Sequence, residues 1–315
     1  MFNKEATPAR SHAWLAVSMC APLVQVAGGS NWTIVLVTGV ICFVLAVAVL
    51  AFGVEISAKW LLWSQLIWLS VVASEIASWT TAYWPQYRSF PVVPLALILV
   101  AFFAAVGGID RASRAGAVLF WFLLLLYGAV LLAGMKEVEL KWLAPGDVNL
   151  KPRLTLVLLL PLLMMFHEKR SRGVWKPLAA ILVFGLLVSA ITIGVLSPGI
   201  AEVSISAFYE ASRSLSLFGI VERFESVVAA ALTLGYFCTL AYIFSTAAQL
   251  AGEIKPGWEK RGAAICAAAG AGLLLAGANV LPELLLSGCA VMWVLVPVLS
   301  TVIGRKIQKK TRKSP

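Results

Sequence analysis

The sequence predicts an all-α polytopic membrane protein of about ten transmembrane helices. Three observations carry that prediction. Of 315 residues, 61% are apolar and 13% are charged, about half the charged share of an ordinary soluble domain, and mean hydropathy is +0.92. Apolar residues come in runs of about 20, the length that crosses a bilayer. Basic residues fall mostly on one side of those runs, as the positive-inside rule requires. A soluble fold of this size cannot hide so much apolar surface. The composition therefore excludes a soluble enzyme, a disordered chain and a nucleic-acid-binding module. Lipid is the solvent it fits.

Taken in order, the candidate spans are 12–29, 32–53, 57–84, 90–108, 112–135, 153–168, 174–197, 219–250, 261–280 and 283–304. Turn residues punctuate them. Gly28-Gly29-Ser30-Asn31 separates the first two, and Gly107-Gly108-Ile109-Asp110 separates the fourth and fifth. Pro198-Gly199 closes the seventh, and Asn279 to Pro282 joins the last two. None shows the single polar face of a soluble amphipathic helix. A cleaved signal peptide is the alternative for the first run, because basic residues precede it and Val26-Ala27-Gly28 is small. Pro22 within the run favours a retained helix.

With the N-terminus in the cytoplasm, the cytoplasmic segments hold Lys4, Arg10, Lys59, Arg111, Arg114, Lys169, Arg170, Arg172, Lys176, Lys255, Lys260, Arg261, Arg305, Lys306, Lys309, Lys310, Arg312 and Lys313. The other side holds Arg88, Lys136, Lys141, Lys151, Arg153, Arg213 and Arg223. That split of 18 to seven among the 25 basic residues fits ten spans with both termini cytoplasmic, since dropping one span would scramble it. The net charge of +10 thus reads as an orientation signal with a basic tail at 305–315, and no nucleic-acid partner is expected.

Ten spans divide into a first half, 1–135, and a second, 153–304. Because five is odd, the halves are inverted relative to one another. Spans 1 and 6 are both short, with Pro22 and Pro161 near their centres. Spans 3 and 8 are the longest of each half. A proline removes a backbone donor and clashes with the carbonyl four residues back. Interrupted helices at equivalent positions of two inverted halves point to a midplane binding site. Two ordinary proline kinks are the plainer alternative. The expectation is a 5+5 inverted repeat with broken helices 1 and 6. A small ligand would sit among Ser18, Cys20, Ala21, Pro22 and Gln25 on one side and Leu160, Pro161 and Met164 on the other. Free N–H groups at a half-helix suit a carboxylate, so an amino acid is the natural nutrient.

Glu75 lies beside Trp79 in span 3, about 13 Å of helix from its outer end. A carboxylate at depth costs about 2.5–3.5 kcal/mol on insertion scales, so it should pair, face a cavity or take up a proton. Arg223 is the expected partner, in a structural cluster with Glu222 at the start of span 8. Glu222, Ser226, Ala229, Thr233 and Tyr236 recur at helical spacing. Glu225, Thr233 and Tyr236 therefore join the candidate ligand-binding residues, although packing through small residues explains the stripe equally well.

The remaining features carry no chemistry. Cys20, Cys42, Cys238, Cys266 and Cys289 all lie in apolar runs without metal spacing. His12 and His167 sit at span ends, and Trp60, Trp63, Trp84 and Trp258 read as interfacial anchors. Asn31-Trp32-Thr33 fits a glycosylation sequon, a match expected by chance in a chain this long. There is no nucleophile–base pair, phosphate loop or metal cluster. Neither an enzyme nor a cofactor is expected.

Phe208-Tyr209-Glu210-Ala211-Ser212-Arg213, followed by Ile220-Val221-Glu222-Arg223-Phe224-Glu225, resembles the stretch leading into the eighth helix of spore germination permeases. These are the B subunits of GerA-type germinant receptors. Thr81-Ala82-Tyr83-Trp84-Pro85, Gly108-Ile109-Asp110-Arg111-Ala112-Ser113-Arg114 and Leu150-Lys151-Pro152 are similar to other segments of that family, and the resemblance spans roughly 60–250. It implies the amino acid–polyamine–organocation superfamily and its inverted repeat, with a central site among spans 1, 3, 6 and 8. It also implies nutrient sensing with A and C subunits in the spore inner membrane. Cys20-Ala21-Pro22 stands where the family leads one to expect a Gly-rich break. The alternative function is a proton-coupled secondary transporter of amino acids or amines.

Overall fold

The computed structural model describes residues 8–52, 59–84, 90–107, 109–146, 151–165, 175–214 and 225–277, together with 296 and 299. Among them are eleven α-helices: α1 (Pro8–Gly28), α2 (Trp32–Phe52), α3 (Lys59–Ser78), α4 (Val92–Val106), α5 (Ile109–Gly134), α6 (Pro152–Met165), α7 (Trp175–Leu196), α8 (Pro198–Val203), α9 (Ala207–Ser214), α10 (Glu225–Ile254) and α11 (Glu259–Leu275). No strand occurs among the described residues. The first nine expected spans correspond to α1–α7, α10 and α11. The tenth, 283–304, lies outside the described residues apart from 296 and 299. Four segments are long and apolar enough to cross a membrane: Lys59–Ala82, Arg114–Gly134, Trp175–Leu196 and Glu225–Ile254. Four shorter apolar helices accompany them.

The bundle is apolar outside and partly polar inside, as a bilayer demands. Val40 and Val44 of α2, Leu99 and Phe103 of α4, and Val118, Trp121, Leu125 and Leu132 of α5 face outward. Gln65, Ser70, Ser74 and Glu75 of α3 and Thr239, Ser245 and Thr246 of α10 are buried. Three of these hydroxyls turn back onto their own helices, Ser70 Oγ to Leu66 O at 3.1 Å, Ser245 Oγ to Ala241 O at 2.7 Å and Thr246 Oγ1 to Tyr242 O at 3.0 Å. That satisfies them without a partner helix.

Helix α10 is the hub, packing on α1, α3, α4, α5 and α11. Small residues let it approach closely. A Cβ on Gly235 would stand 2.5 Å from Ala21 Cβ of α1, and one on Gly262 of α11 would stand 2.7 Å from Ala247 O of α10. Around the hub, α1 packs on α7 and α2 on α6, while α3 packs on α11 and α10 on α4.

The expected breaks in the first and sixth spans are absent. Helix α1 runs unbroken through Pro22 and α6 through Pro161. The physical reason is visible in α1. Pro22 offers no N–H to the carbonyl four residues back, that of Ser18, and Thr239 Oγ1 of α10 donates to that carbonyl instead. A single side chain replaces the lost helical bond, so the helix has no need to unwind.

The Asn31-Trp32-Thr33 triplet has a structural role. Asn31 Oδ1 accepts from Thr33 N at 3.0 Å, capping the start of α2. Trp32 Nε1 donates to Leu143 O at 3.0 Å, tying the segment after α5 over this turn.

Candidate functional site

Five segments meet at one end of the bundle. Helices α1 and α3 finish there, the latter tightening into a 3-10 turn at Trp79–Ala82, and α6 begins there. The short α8 and the segment after it, Ser204 to Ser206, close over the group. Between them lies a cavity of about 580 Å³, bounded by Gln25, Gly29, Glu75, Trp79, Lys151, Arg153, Glu202 and Ile205 among others. That volume is in the range of small-molecule sites.

At its base, Glu75 is 1% exposed. Its Oε1 accepts from Arg153 Nε at 3.1 Å and from Trp79 Nε1 at 3.2 Å. Arg153 is the second residue of α6 and 46% exposed. Lys151, which precedes that helix, donates to Gly29 O at 2.9 Å and stands 4.0 Å from Glu202 Oε1. Two cations from one side thus face two carboxylates from others.

Beside the cavity runs a hydrogen-bond cluster that joins four segments. Tyr83 Oη donates to Gln25 Oε1 at 2.5 Å and lies 2.9 Å from Ser206 Oγ and 3.1 Å from Tyr236 Oη. Tyr236 Oη reaches the same Gln25 oxygen at 3.3 Å, and Gln25 Nε2 donates to Ile205 O at 2.6 Å. One glutamine therefore ties α1 to α10, to the end of α3 and to the segment after α8. The Trp79 ring stands edge-on to Tyr236 at 6.2 Å, linking this cluster to the cavity.

The structure brings Gln25, Glu75 and Trp79 to the cavity, with Tyr236 one hydrogen bond behind. Of the other candidates, those that the structure describes lie elsewhere. Ser18, Ala21 and Pro22 are buried in helix packing, as are Leu160 and Pro161. Cys20 is half-buried, its Sγ donating to Ala16 O at 3.2 Å. The Met164 side chain, like Glu222 and Arg223, lies outside what the structure describes. Thr233 Oγ1 accepts from Trp84 Nε1 at 3.2 Å, and Glu225 Oε2 sits 3.7 Å from Arg213 Nε at the start of α10. The guanidinium of Arg153 reaches Glu75, and the expected pairing of Glu75 with Arg223 falls outside the described residues.

Arg153, Lys151, Glu202, Tyr83 and Ser206 were not anticipated. A signal existed: Lys151 and Arg153 are two of only seven basic residues on the poorly charged side, and both adjoin Pro152. Charges that oppose the orientation bias need another reason to be there. Among the described residues no three His, Cys, Asp or Glu side chains gather as a metal centre requires.

A family model described as spore germination protein matches residues 79–254, more than half of the chain. The chain belongs to the spore germination permease family. That is a family of permease-type membrane proteins linked to germination and not one of enzymes. No curated protein matches the chain. The matched stretch holds Tyr83, Lys151, Arg153, Glu202, Ser206 and Tyr236, whereas Gln25 and Glu75 precede it. Most of the cavity wall therefore falls within the part that defines the permease family.

Proposed function

We propose that this chain is the permease-like membrane subunit of a spore nutrient germinant receptor. It binds a small nutrient, an amino acid, and partner subunits of the A and C types read the resulting shift between conformations. The observation that carries this reading is a polar cavity of about 580 Å³ within a member of the spore germination permease family. A site at the mouth of the bundle replaces the midplane site that broken helices would have supplied.

The architecture proposed with it is ten spans in two inverted halves, 1–135 and 153–304, with both termini cytoplasmic in the spore inner membrane. Exchange of the halves turns the packing of α1 on α7 into that of α6 on α2, and α3 on α11 into α10 on α4. Both partners of each exchange are in contact, which supports the repeat. The split of basic residues supports the orientation, in which the cavity opens on the outer face.

Spores that keep this gene as their sole nutrient receptor provide the test. Deletion is expected to abolish germination in an amino acid mixture, and restoration of the gene to recover it. An undiminished response in the deletion strain overturns the reading.

Glu75 favours a second reading. A carboxylate 1% exposed beside a cavity is the group a proton-coupled transporter needs. Proton-driven uptake of amino acids into liposomes, lost in Glu75→Gln, would establish that alternative.

A further inference from the structure

We propose that the end of the bundle opposite the mouth cavity holds the phosphate of an anionic phospholipid, at a surface made by the start of α3 and the turn between α10 and α11. This surface is separate from the mouth cavity, and its occupant is independent of the nutrient.

Two cations share one aromatic ring there. The turn reads Lys255-Pro256-Gly257-Trp258 and leads into α11. Lys255 Nζ lies 5.2 Å from the centroid of the Trp258 ring, and Arg261 Cζ lies 5.7 Å from it. Trp63 of α3 stands edge-on to that ring at 6.4 Å. The ring attracts each cation, but the two like charges repel, and an anion beside them relieves that repulsion. Lys59 is one turn before Trp63 on the same side of α3, and Lys260 adjoins Arg261. All four cations are exposed. Among the described residues, none of the four takes part in a salt bridge. Two carboxylates are near in sequence. Glu259 Oε1 accepts from Gly257 N at 3.3 Å, back into the turn, and Glu253 sits in the last turn of α10.

The residues next to these charges favour a lipid over a soluble anion. Helices α3 and α10 belong to segments long enough to cross a membrane, so Lys59 and the turn after Ile254 stand at the bilayer surface. Trp60, Trp63 and Ile67 are exposed at the spacing of one helical face. Ile265, four residues beyond Arg261 on the neighbouring α11, is exposed as well. From the surface inward, α3 and α11 thus offer cations, then tryptophan rings, then aliphatic side chains. A phospholipid has the same order, with phosphate, glycerol and acyl chain. Basic surfaces beside spans recognise anionic headgroups, and tryptophan favours the level between headgroup and chain. Arg261 supplies a forked donor for phosphate oxygens, and Lys255 a point charge.

The test uses the full chain in detergent micelles and reads the thermal shift on adding phosphatidylglycerol or phosphatidylcholine in equal amounts. Phosphatidylglycerol is expected to raise the Tm above the value reached with phosphatidylcholine. The double variant Lys255→Gln, Arg261→Gln is expected to weaken its binding at least fivefold. Both side chains are exposed, so this variant folds. Lys176→Gln is the control. Lys176 lies at the same end of the bundle, 5.9 Å from the centroid of the Trp175 ring at the start of α7, and its variant is expected to keep the response. Equal shifts with the two lipids, an undiminished response in the double variant, or equal weakening in Lys176→Gln overturns the site. An equal shift with glycerol 3-phosphate, which has the phosphate and no acyl chain, overturns the lipid assignment.

Discussion

At the scale of single residues, the bond from Thr239 to the Ser18 carbonyl explains why α1 tolerates Pro22. Interhelical hydrogen bonds in membrane proteins average about 0.6 kcal/mol and reach about 1.7 kcal/mol. This one serves a carbonyl with no helical donor, so the upper part of that range applies. Thr239→Val is expected to destabilise the protein by about 1–1.7 kcal/mol, measured by thermal unfolding in detergent. In a Pro22→Ala background residue 22 regains an N–H for Ser18, and the same substitution should cost less. Equal costs in the two backgrounds would exclude this coupling.

The pair at the base of the cavity makes an asymmetric prediction. Gln at position 75 still accepts from Trp79 and lets Arg153 turn to water. Ala at position 153 strips a cation from a carboxylate that is 1% exposed. Losing one partner of a buried pair costs about 3–5 kcal/mol when both are desolvated, and the half-exposed guanidinium lowers that figure. Arg153→Ala is therefore expected to lower the Tm by more than Glu75→Gln, and the reverse order would show that Arg153 does not stabilise the carboxylate. The sequence made Glu75 legible, because a carboxylate inside an apolar run needs a partner. It did not reveal that Arg153 reaches it, because no sequence signal links Arg153 to Glu75 and only packing brings the start of α6 to the end of α3.

Among the elements, the spans were legible and the state of their backbone was not. Apolar runs and turn residues locate α1–α7, α10 and α11 to within a few residues wherever their ends are described. Proline reports that a bond is missing, yet a threonine on another helix decides whether the helix breaks, and that contact is 221 residues away in sequence. The small face of α11 was overlooked although its spacing is regular. Gly262, Cys266 and Gly270 recur every fourth residue and are buried. A Cβ on Gly262 would meet backbone at Ala247 O, which cannot rotate aside, and Ala251 Cβ at 2.2 Å. Gly262→Ala is accordingly expected to cost about 1–3 kcal/mol, as overpacking does. Gly272, on the same helix, faces open space. Gly272→Ala should leave stability unchanged or slightly raised, because alanine is the better helix former. Thermal unfolding of the two variants side by side separates packing from propensity. Similar losses in both would mean that α11 does not pack on α10 through this face.

For the whole molecule, what matters to function is the side of the membrane on which the cavity opens. Its lining comes from the ends of α1 and α3 and the start of α6, so the orientation of any one of these fixes the orientation of the site. With both termini cytoplasmic, the mouth faces outward, and a nutrient reaches Arg153 and Glu202 without crossing lipid. With the opposite orientation it would open to the spore interior, and a receptor for external nutrients would have no access to its ligand. The segment after α5 and the turn between α10 and α11 report on the two sides. Lys141 is exposed in the first and Lys255 in the second. The four described cysteines, Cys20, Cys42, Cys238 and Cys266, are buried or half-buried among helices, which keeps background labelling low. A membrane-impermeant maleimide is expected to label Lys141→Cys in intact cells and Lys255→Cys only after permeabilisation. The opposite pattern would place the cavity inside and remove the basis for external nutrient sensing, whatever the affinity of the site.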